Sequence, residues 1–343
     1  GRAPLQLGKP VTAIVGPYRI GSVEYEAISV STHKTTQEAV RGFGQSPTNF
    51  AIEVGIDKIA RFLNIDRFEV RRRNFIQKDE FPYEIPSGTS YDSGDYHAVL
   101  NKTEKLANIS SLISKRDQIR AEGKFAGIGI ATCLEPSGGN AGFEPLFNEK
   151  NPTTTWMESC QVKIDLNGSI TGIIATTSAG QGHESLVSTV IGEILQRNPD
   201  SIRITRTDSL ASLPSNSPVG SRMVIMLGGA AQGASEKIRK QLISIAAHNL
   251  QLPVDQLEYR NGDVVTLKEP HNKIEWCELI EIAHRRYHDL PDDMEPGLQA
   301  RHVWEVPTGG SMPTPDGKVQ MYPCYSFEAH IPLVSIDPLT GQV

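Results

Sequence analysis

Ser178-Ala179-Gly180-Gln181-Gly182-His183-Glu184-Ser185 is the stretch from which the rest of the chain can be put in order. Before it runs Ser169-Ile170-Thr171-Gly172-Ile173-Ile174-Ala175-Thr176-Thr177, rich in β-branched residues, which predicts a strand. After it, Leu186, Val187, Val190, Ile191, Ile194 and Leu195 fall on one face of a helix. A glycine-containing turn therefore feeds a helix N-terminus. Glycines there let the backbone approach a ligand closely, and the free N–H groups and helix dipole favour an anion. The same pattern also suits a plain strand–helix connection.

Upstream, Asn167-Gly168 between Val162–Leu166 and Ser169–Thr177 predicts a hairpin. Downstream, Asn198-Pro199 stops the helix and Ile202-Arg203-Ile204-Thr205 reads as a short strand. Pro218-Val219-Gly220-Ser221-Arg222 then leads to Gly228-Gly229-Ala230-Ala231-Gln232-Gly233-Ala234 and a helix through Ile238, Leu242, Ile245 and Ala246. Small residues at its start would let that helix approach another element, or a ligand, closely. Asn261-Gly262 marks another hairpin and Ile274–Tyr287 a helix; residues 289–323 read as irregular.

Toward the N-terminus, Phe125–Ala131 reads as a glycine-rich strand and Glu135–Asn140 as a loop, with a domain boundary near Gly123. Residues 1–40 read as extended, with Val23, Tyr25, Ile28 and Val30 alternating. Arg41-Gly42-Phe43-Gly44-Gln45-Ser46-Pro47 is a second glycine loop before a helix, with Ser46 as the expected N-cap and Pro47 at the first helical position. Ile52, Ile56, Ile59, Ala60 and Leu63 would form its buried face, with Glu53, Asp57 and Arg61 off it. Arg41 reads as an anion clamp or as a surface residue beside a turn. Asp66-Arg67-Phe68-Glu69 has the form of a capping box, and Arg71, Arg72 and Arg73 cannot share a helix face, which predicts separate salt bridges. Residues 77–98 read as a long loop and 98–121 as a polar helix. Ser326–Val334 alternates like a strand and leads to the turn Asp337–Gly341, after which no partner strand is left; the expectation is a piece of something larger.

Composition excludes several classes. With 343 residues there is room for two or more domains; net charge is −6, and the absence of a basic excess argues against nucleic acid as a main partner. No run of about 18 apolar residues predicts a membrane span. Cys133, Cys160, Cys277 and Cys324 are scattered and form no zinc or iron–sulfur spacing, so reduced thiols and a cytoplasmic location are expected.

Arg41-Gly42-Phe43-Gly44, Arg71-Arg72-Arg73-Asn74-Phe75-Ile76, Tyr91-Asp92-Ser93-Gly94-Asp95-Tyr96, Gly180-Gln181-Gly182-His183-Glu184, and Gly220-Ser221-Arg222 with Gly228-Gly229 occur in this order. Together, and over essentially the whole chain, they resemble the molybdenum-binding large subunit of the xanthine dehydrogenase/aldehyde oxidase/aerobic carbon monoxide dehydrogenase family. The resemblance implies an α+β fold of two molybdopterin-binding domains with mixed sheets and flanking helices, and the cofactor between them. Residues 1–78 would be the end of the first domain, 79–122 a connecting loop and helix, and 123–343 the second domain, incomplete at its C-terminus.

The resemblance also implies roles. Arg41 would lie beside the molybdenum centre and Phe43 would pack on the substrate ring. Gly180, Gln181, Gly182 and His183 would hold the pterin and its pyrophosphate, and Ser221 and Arg222 would touch the phosphate or nucleotide. Molybdenum itself would be held by the pterin, with no protein side chain as ligand. Glu135 would be either a plain turn carboxylate or a border of the substrate funnel. The implied activity is hydroxylation of an aldehyde or N-heteroaromatic carbon with water-derived oxygen. The implied cofactor is molybdopterin, as the cytosine dinucleotide. The implied partners are [2Fe–2S] and FAD subunits and other molybdopterin-binding chains.

Two departures are expected to matter. The family's catalytic glutamate and its earlier glycine-rich molybdenum loop have no counterpart here. Phe43-Gly44-Gln45 also differs from the cysteine-bearing loop of the carbon monoxide oxidisers. A non-catalytic cofactor-binding or assembly subunit is therefore the alternative. A nicotinamide-dependent dehydrogenase is weaker, because no G-x-G-x-x-G follows a first strand with an acidic residue beyond it.

Overall fold

The computed structural model describes residues 8–35, 40–139, 156–206, 208, 210–216, 218–307 and 314–343. The chain forms two compact units, one of Gly1–Thr154 with Thr308–Val343 and one of Thr155–Pro307. The sequence reading instead places borders at 79 and 123.

The first unit begins with a buried 3-10 turn, Lys9–Ala13. Tyr18 bridges to Phe75, but no strand follows: Val23, Tyr25, Ile28 and Val30 are all exposed. Alternation alone predicts a strand there, but without an edge to pair with and a core to cover none forms. Helix α1 (Gln45–Leu63) starts earlier than Ser46 and Pro47 suggest, because Gly44 at φ 78 is its N-cap. Ser46 instead turns its hydroxyl back to donate to Gly42 O at 3.0 Å. The expected apolar face is also corrected. Ile59 and Leu63 are exposed, while Gln45, Glu53 and Ala60 are the residues α1 buries.

Helix α2 (Arg67–Asn74) is capped as the sequence predicts, Asp66 Oδ1 accepting from Phe68 N and Glu69 N. Its arginines do make separate salt bridges: Arg71 with Glu53 and Asp57, Arg72 with Glu104, Arg73 with Glu69. The expected loop 77–98 contains a short antiparallel ladder, β1 (Tyr83–Glu84) and β2 (Ser90–Tyr91). The expected polar helix is two, α3 (Tyr96–Ala107) and α4 (Ile109–Ala121), because Asn108 at φ 48 ends one and caps the next. Two strands follow, β3 (Phe125–Ile128) and β4 (Ala131–Ser137). Glu135 thus lies on a strand rather than in a loop; Asn140 lies outside the described residues.

In the second unit β5 (Glu158–Ile164) and β6 (Ile170–Ile174) pair antiparallel across the Asn167-Gly168 turn. Helix α5 (His183–Leu195) crosses over to β7 (Arg203–Arg206), which pairs parallel with β6. Helix α6 (Met223–Leu250) follows, then a small antiparallel sheet of β8 (Leu257–Arg260), β9 (Asp263–Thr266) and β10 (Lys273–Ile274), then α7 (Trp276–Arg285). Strand β11 (Leu298–Trp304) returns to pair with β5, giving the order β11-β5-β6-β7. It falls where the sequence predicts irregular chain. The Pro and Gly residues around it mask seven residues whose register is supplied entirely by β5.

Helix α6 packs on β5, β11 and α5. The close approach expected of its small residues is present: a Cβ on Gly229 would lie 2.4 Å from the Trp304 ring. Val162, Ile174, Ile191, Ala231, Ile238 and Leu242 lie in one fully buried core.

The chain then re-enters the first unit. Strand β12 (Cys324–His330) pairs with β4 and β13 (Leu333–Ile336) with β3, both antiparallel. The single strand expected at Ser326–Val334 is thus two, and each finds its partner some 200 residues upstream. Mixed sheets with flanking helices make the fold α+β, as the family resemblance implies. Among the described residues no helix is long and apolar enough to cross a membrane.

Candidate functional site

The Gly180–His183 loop is built on two left-handed glycines, Gly180 at φ 94 and Gly182 at φ 73, the second serving as N-cap of α5. The loop is held by its own bonds. Gln181 Oε1 accepts from Ala179 N, and Gly182 N donates to Ser178 Oγ at 3.1 Å. That engages the Gln181 oxygen and leaves its amide nitrogen as the group to donate outward. No side chain caps α5, so its first-turn N–H groups are left for water or a ligand.

His183, the first residue of α5, is 3% exposed, and its Nδ1 is buried without a hydrogen-bond partner. Thr176 Oγ1, on the strand side of the loop, is in the same condition. Buried polar atoms are normally satisfied, so two orphans flanking one loop call for a partner. A Cβ added to Gly180 or Gly182 would meet no atom within 4 Å, so open space lies over both.

Ser221-Arg222 precedes α6. Ser221 is exposed at φ 51, and Arg222 is fully buried. Arg222 Nη2 reaches Glu158 Oε1 at 2.5 Å, and its guanidinium lies 5.8 Å from the centre of the Trp156 ring. Glu158 also accepts from Ser215 Oγ at 2.7 Å and from Asn216 N at 3.1 Å. A fully buried arginine–carboxylate pair of this kind fixes the segment that ends in Ser221.

The Arg41–Gly44 loop belongs to the first unit. Arg41 is exposed and Phe43 half-buried. Lys9, 3% exposed, puts its Nζ 5.7 Å from the centre of the Phe43 ring, 5.7 Å from that of Tyr322 and 3.3 Å from Glu135 Oε1. A buried ammonium between two aromatic faces and a carboxylate is well compensated. Burial, then Glu135, push the Tyr322 phenol well above its ordinary range. Gly42, Gln45 and Ser46 open onto a cavity of about 610 Å³, lined also by Glu53, Cys133, Glu135 and His330. Burial, then the carboxylates of Glu328 and Glu135, push the Cys133 thiol up to about 12, so it is no nucleophile.

Gly180, Gln181, Gly182 and His183 therefore meet at one helix start, and Ser221 and Arg222 precede another. Arg41 and Phe43 lie in the other unit. Lys9, Tyr322 and Glu158 went unread in the sequence. A lone lysine, a tyrosine amid Pro and Gly and a strand glutamate carry no local signal. Only the contacts reveal them.

A family model described as "Molybdopterin cofactor-binding domain" matches residues 102–343, and a second of the same description matches 3–75. The chain belongs to the molybdopterin-binding family of molybdenum hydroxylases. The large subunit of nicotine 6-hydroxylase from Paenarthrobacter nicotinovorans is 26% identical over 328 residues, 96% of this chain and 38% of that protein. The carbon monoxide dehydrogenase large chain from Hydrogenophaga pseudoflava is 29% identical over 296 residues, 85% of this chain and 34% of that protein. Quinoline 2-oxidoreductase from Pseudomonas putida 86 has the same fold, with a TM-score of 0.79 at 24% identity over 98% of this chain and 40% of that one. The chain thus spans less than half the length of these relatives.

The residues at the start of α5 fit the family's molybdopterin. Two orphaned buried polar atoms, uncapped N–H groups and clear space above two glycines suit a ligand that is polar, anionic and close to the backbone.

Proposed function

We propose that this chain of the molybdopterin-binding family is the cofactor-cradling part of a hydroxylase that oxidises an N-heteroaromatic or aldehyde carbon with water-derived oxygen. The observation that carries the reading is the α5 start, where His183 Nδ1 is buried without a partner and open space lies over Gly180 and Gly182. The bound molybdenum–molybdopterin group would supply the two-electron redox chemistry. Gly180 and Gly182 would admit the pterin and pyrophosphate to the backbone, the Gln181 amide would donate to them, and His183 would help to hold them. Ser221 reaches the phosphate or nucleotide of a cytosine dinucleotide form, backed by Arg222.

Arg41 would supply a permanent cation beside the bound group, and Phe43 would pack the substrate ring. Nicotine, named in one relative, is an N-heteroaromatic compound, which favours that class of substrate. The Phe43-Gly44-Gln45 sequence argues against carbon monoxide. Electrons would leave to [2Fe–2S] and FAD chains, with further molybdopterin-binding sequence completing the site, in the cytoplasm.

The test is metal analysis of the isolated chain and of the complex that co-purifies with it. Stoichiometric molybdenum in the complex, lost with Gln181→Ala and His183→Ala, is the expected result. If neither preparation holds molybdenum, the hydroxylase reading fails and an assembly role takes its place.

A further inference from the structure

We infer that Glu53 is a positioning residue that seats the Arg41–Gly44 loop, an inference that rests on the reading of that loop as part of the active site. Helix α1 starts directly after the loop, yet of its 19 residues it buries only Gln45, Glu53 and Ala60. Phe50, Ile59, Phe62 and Leu63 are exposed, so apolar packing does little to fix the helix.

Glu53 does the fixing instead, through five hydrogen bonds from three other parts of the unit. Tyr18 OH donates to Oε1 at 2.5 Å, and Arg71 donates through Nε at 3.1 Å and Nη2 at 2.8 Å to Oε2. Thr132 donates through its N–H at 3.0 Å and its hydroxyl at 2.8 Å. Arg71, fully buried, also reaches Asp57 one turn on, at 2.9 Å.

These partners are the segments that carry the rest of the cluster. Thr132 lies on β4, three residues before Glu135. Tyr18 follows the turn that carries Lys9. Glu53 therefore sets α1 against β4 and against the Lys9 turn, and so sets Phe43 against Lys9. The loop ends nine residues up the helix, about 13 Å away. At its own end it is tied by Gln45 Nε2 to Lys9 O at 3.1 Å and by Ser46 N to Gly42 O at 2.9 Å.

The sequence marks this device only faintly: Glu53 and Asp57 stand one helical turn apart, and the run Arg71-Arg72-Arg73 follows in the next helix.

The test is amide hydrogen exchange on the native complex with Tyr18→Phe and Glu53→Gln, alongside turnover of an N-heteroaromatic substrate. Tyr18→Phe removes one buried bond to a carboxylate and keeps the Arg71 pair, so it is the milder change should Glu53→Gln fail to fold. Exchange at residues 42–50 is expected to rise about tenfold in Tyr18→Phe, with α3 unchanged. Glu53→Gln is expected to raise it further, and kcat to fall in step. No change at 42–50, or an equal rise in α3, overturns the inference. A local rise with unchanged turnover supports the positioning role and sinks the catalytic reading of Arg41 and Phe43.

Discussion

Asp57 shows how charge and burial compete at a single side chain. Burial pushes its carboxyl up, but hydrogen bonds from Arg67 and Arg71 outweigh that and hold it below the ordinary carboxylate value. A lowered folded value means that the unfolded chain binds the proton more tightly. Asp57 therefore stabilises the fold fully above the ordinary value and loses that contribution as pH falls through the lowered one. Asp57→Asn should cost about 2 kcal/mol at pH 7. The cost should shrink as pH drops below about 4, which denaturant titrations at several pH values would read. The thiols offer a second check at this scale. Burial pushes Cys160 up to about 12 and Cys324 up to about 11, whereas Cys277 is exposed. At pH 8 iodoacetamide should label Cys277 first and reach Cys160 only on unfolding, as peptide mass mapping would show. Residue-level reading of the sequence succeeded where the chemistry was local. Asp66 caps its helix, and the three arginines pair separately. It failed for Glu53, placed off the buried face, because its partners are Arg71, Tyr18 and Thr132, between 18 and 79 residues away.

At the scale of elements, α6 and β11 approach through missing side chains. A Cβ on Gly229 would fall within the Trp304 ring contact, and the ring is pinned on a paired strand. Gly229→Ala should lose about 1–3 kcal/mol to overpacking, against a gain of at most about 1 kcal/mol in helix propensity. Gly228, one residue earlier, meets nothing within 4 Å, so Gly228→Ala should leave only the propensity gain. The paired result is a Tm lowered by a few degrees for Gly229→Ala and unchanged or slightly raised for Gly228→Ala, measured by calorimetry. If both alanines stabilised, the close packing would be wrong. The glycine-rich start of α6 was readable in sequence, as was the Asn167-Gly168 hairpin, since both rest on residues adjacent in the chain. Strand β11 was not, because its seven residues between irregular segments take their order from β5. The division of 98–121 into α3 and α4 turned on Asn108 alone, which adopts the left-handed conformation asparagine tolerates.

For the whole molecule, one unit is written inside the other. Residues of the second unit run without interruption from Thr155 to Pro307, and among the described residues its buried core is made by residues from Cys160 to Leu298. The first unit is closed only by chain that returns afterwards. Strand β12 pairs with β4 and β13 with β3, Thr89 Oγ1 donates to Val319 O at 2.6 Å, and Tyr325 N donates to Asp92 Oδ1 at 2.8 Å. The sequence suggested a strand near 326–334 without a partner, because pairing across so long an insertion leaves no trace in local pattern. Unequal consequences follow for truncation. Removing 314–343 exposes one edge each of β3 and β4 and strips Phe327 from the ring cluster of Phe75 and Tyr96. The first unit should then lose its cooperative transition, while the second keeps its own, because none of its hydrogen-bonded strands has been touched. Conversely, residues 155–307 expressed alone should fold, with a single calorimetric transition matching the one that survives in the truncated chain. If the truncated chain lost both transitions together, the second unit would depend on the first for its stability. The two would then have to be treated as one cooperative body.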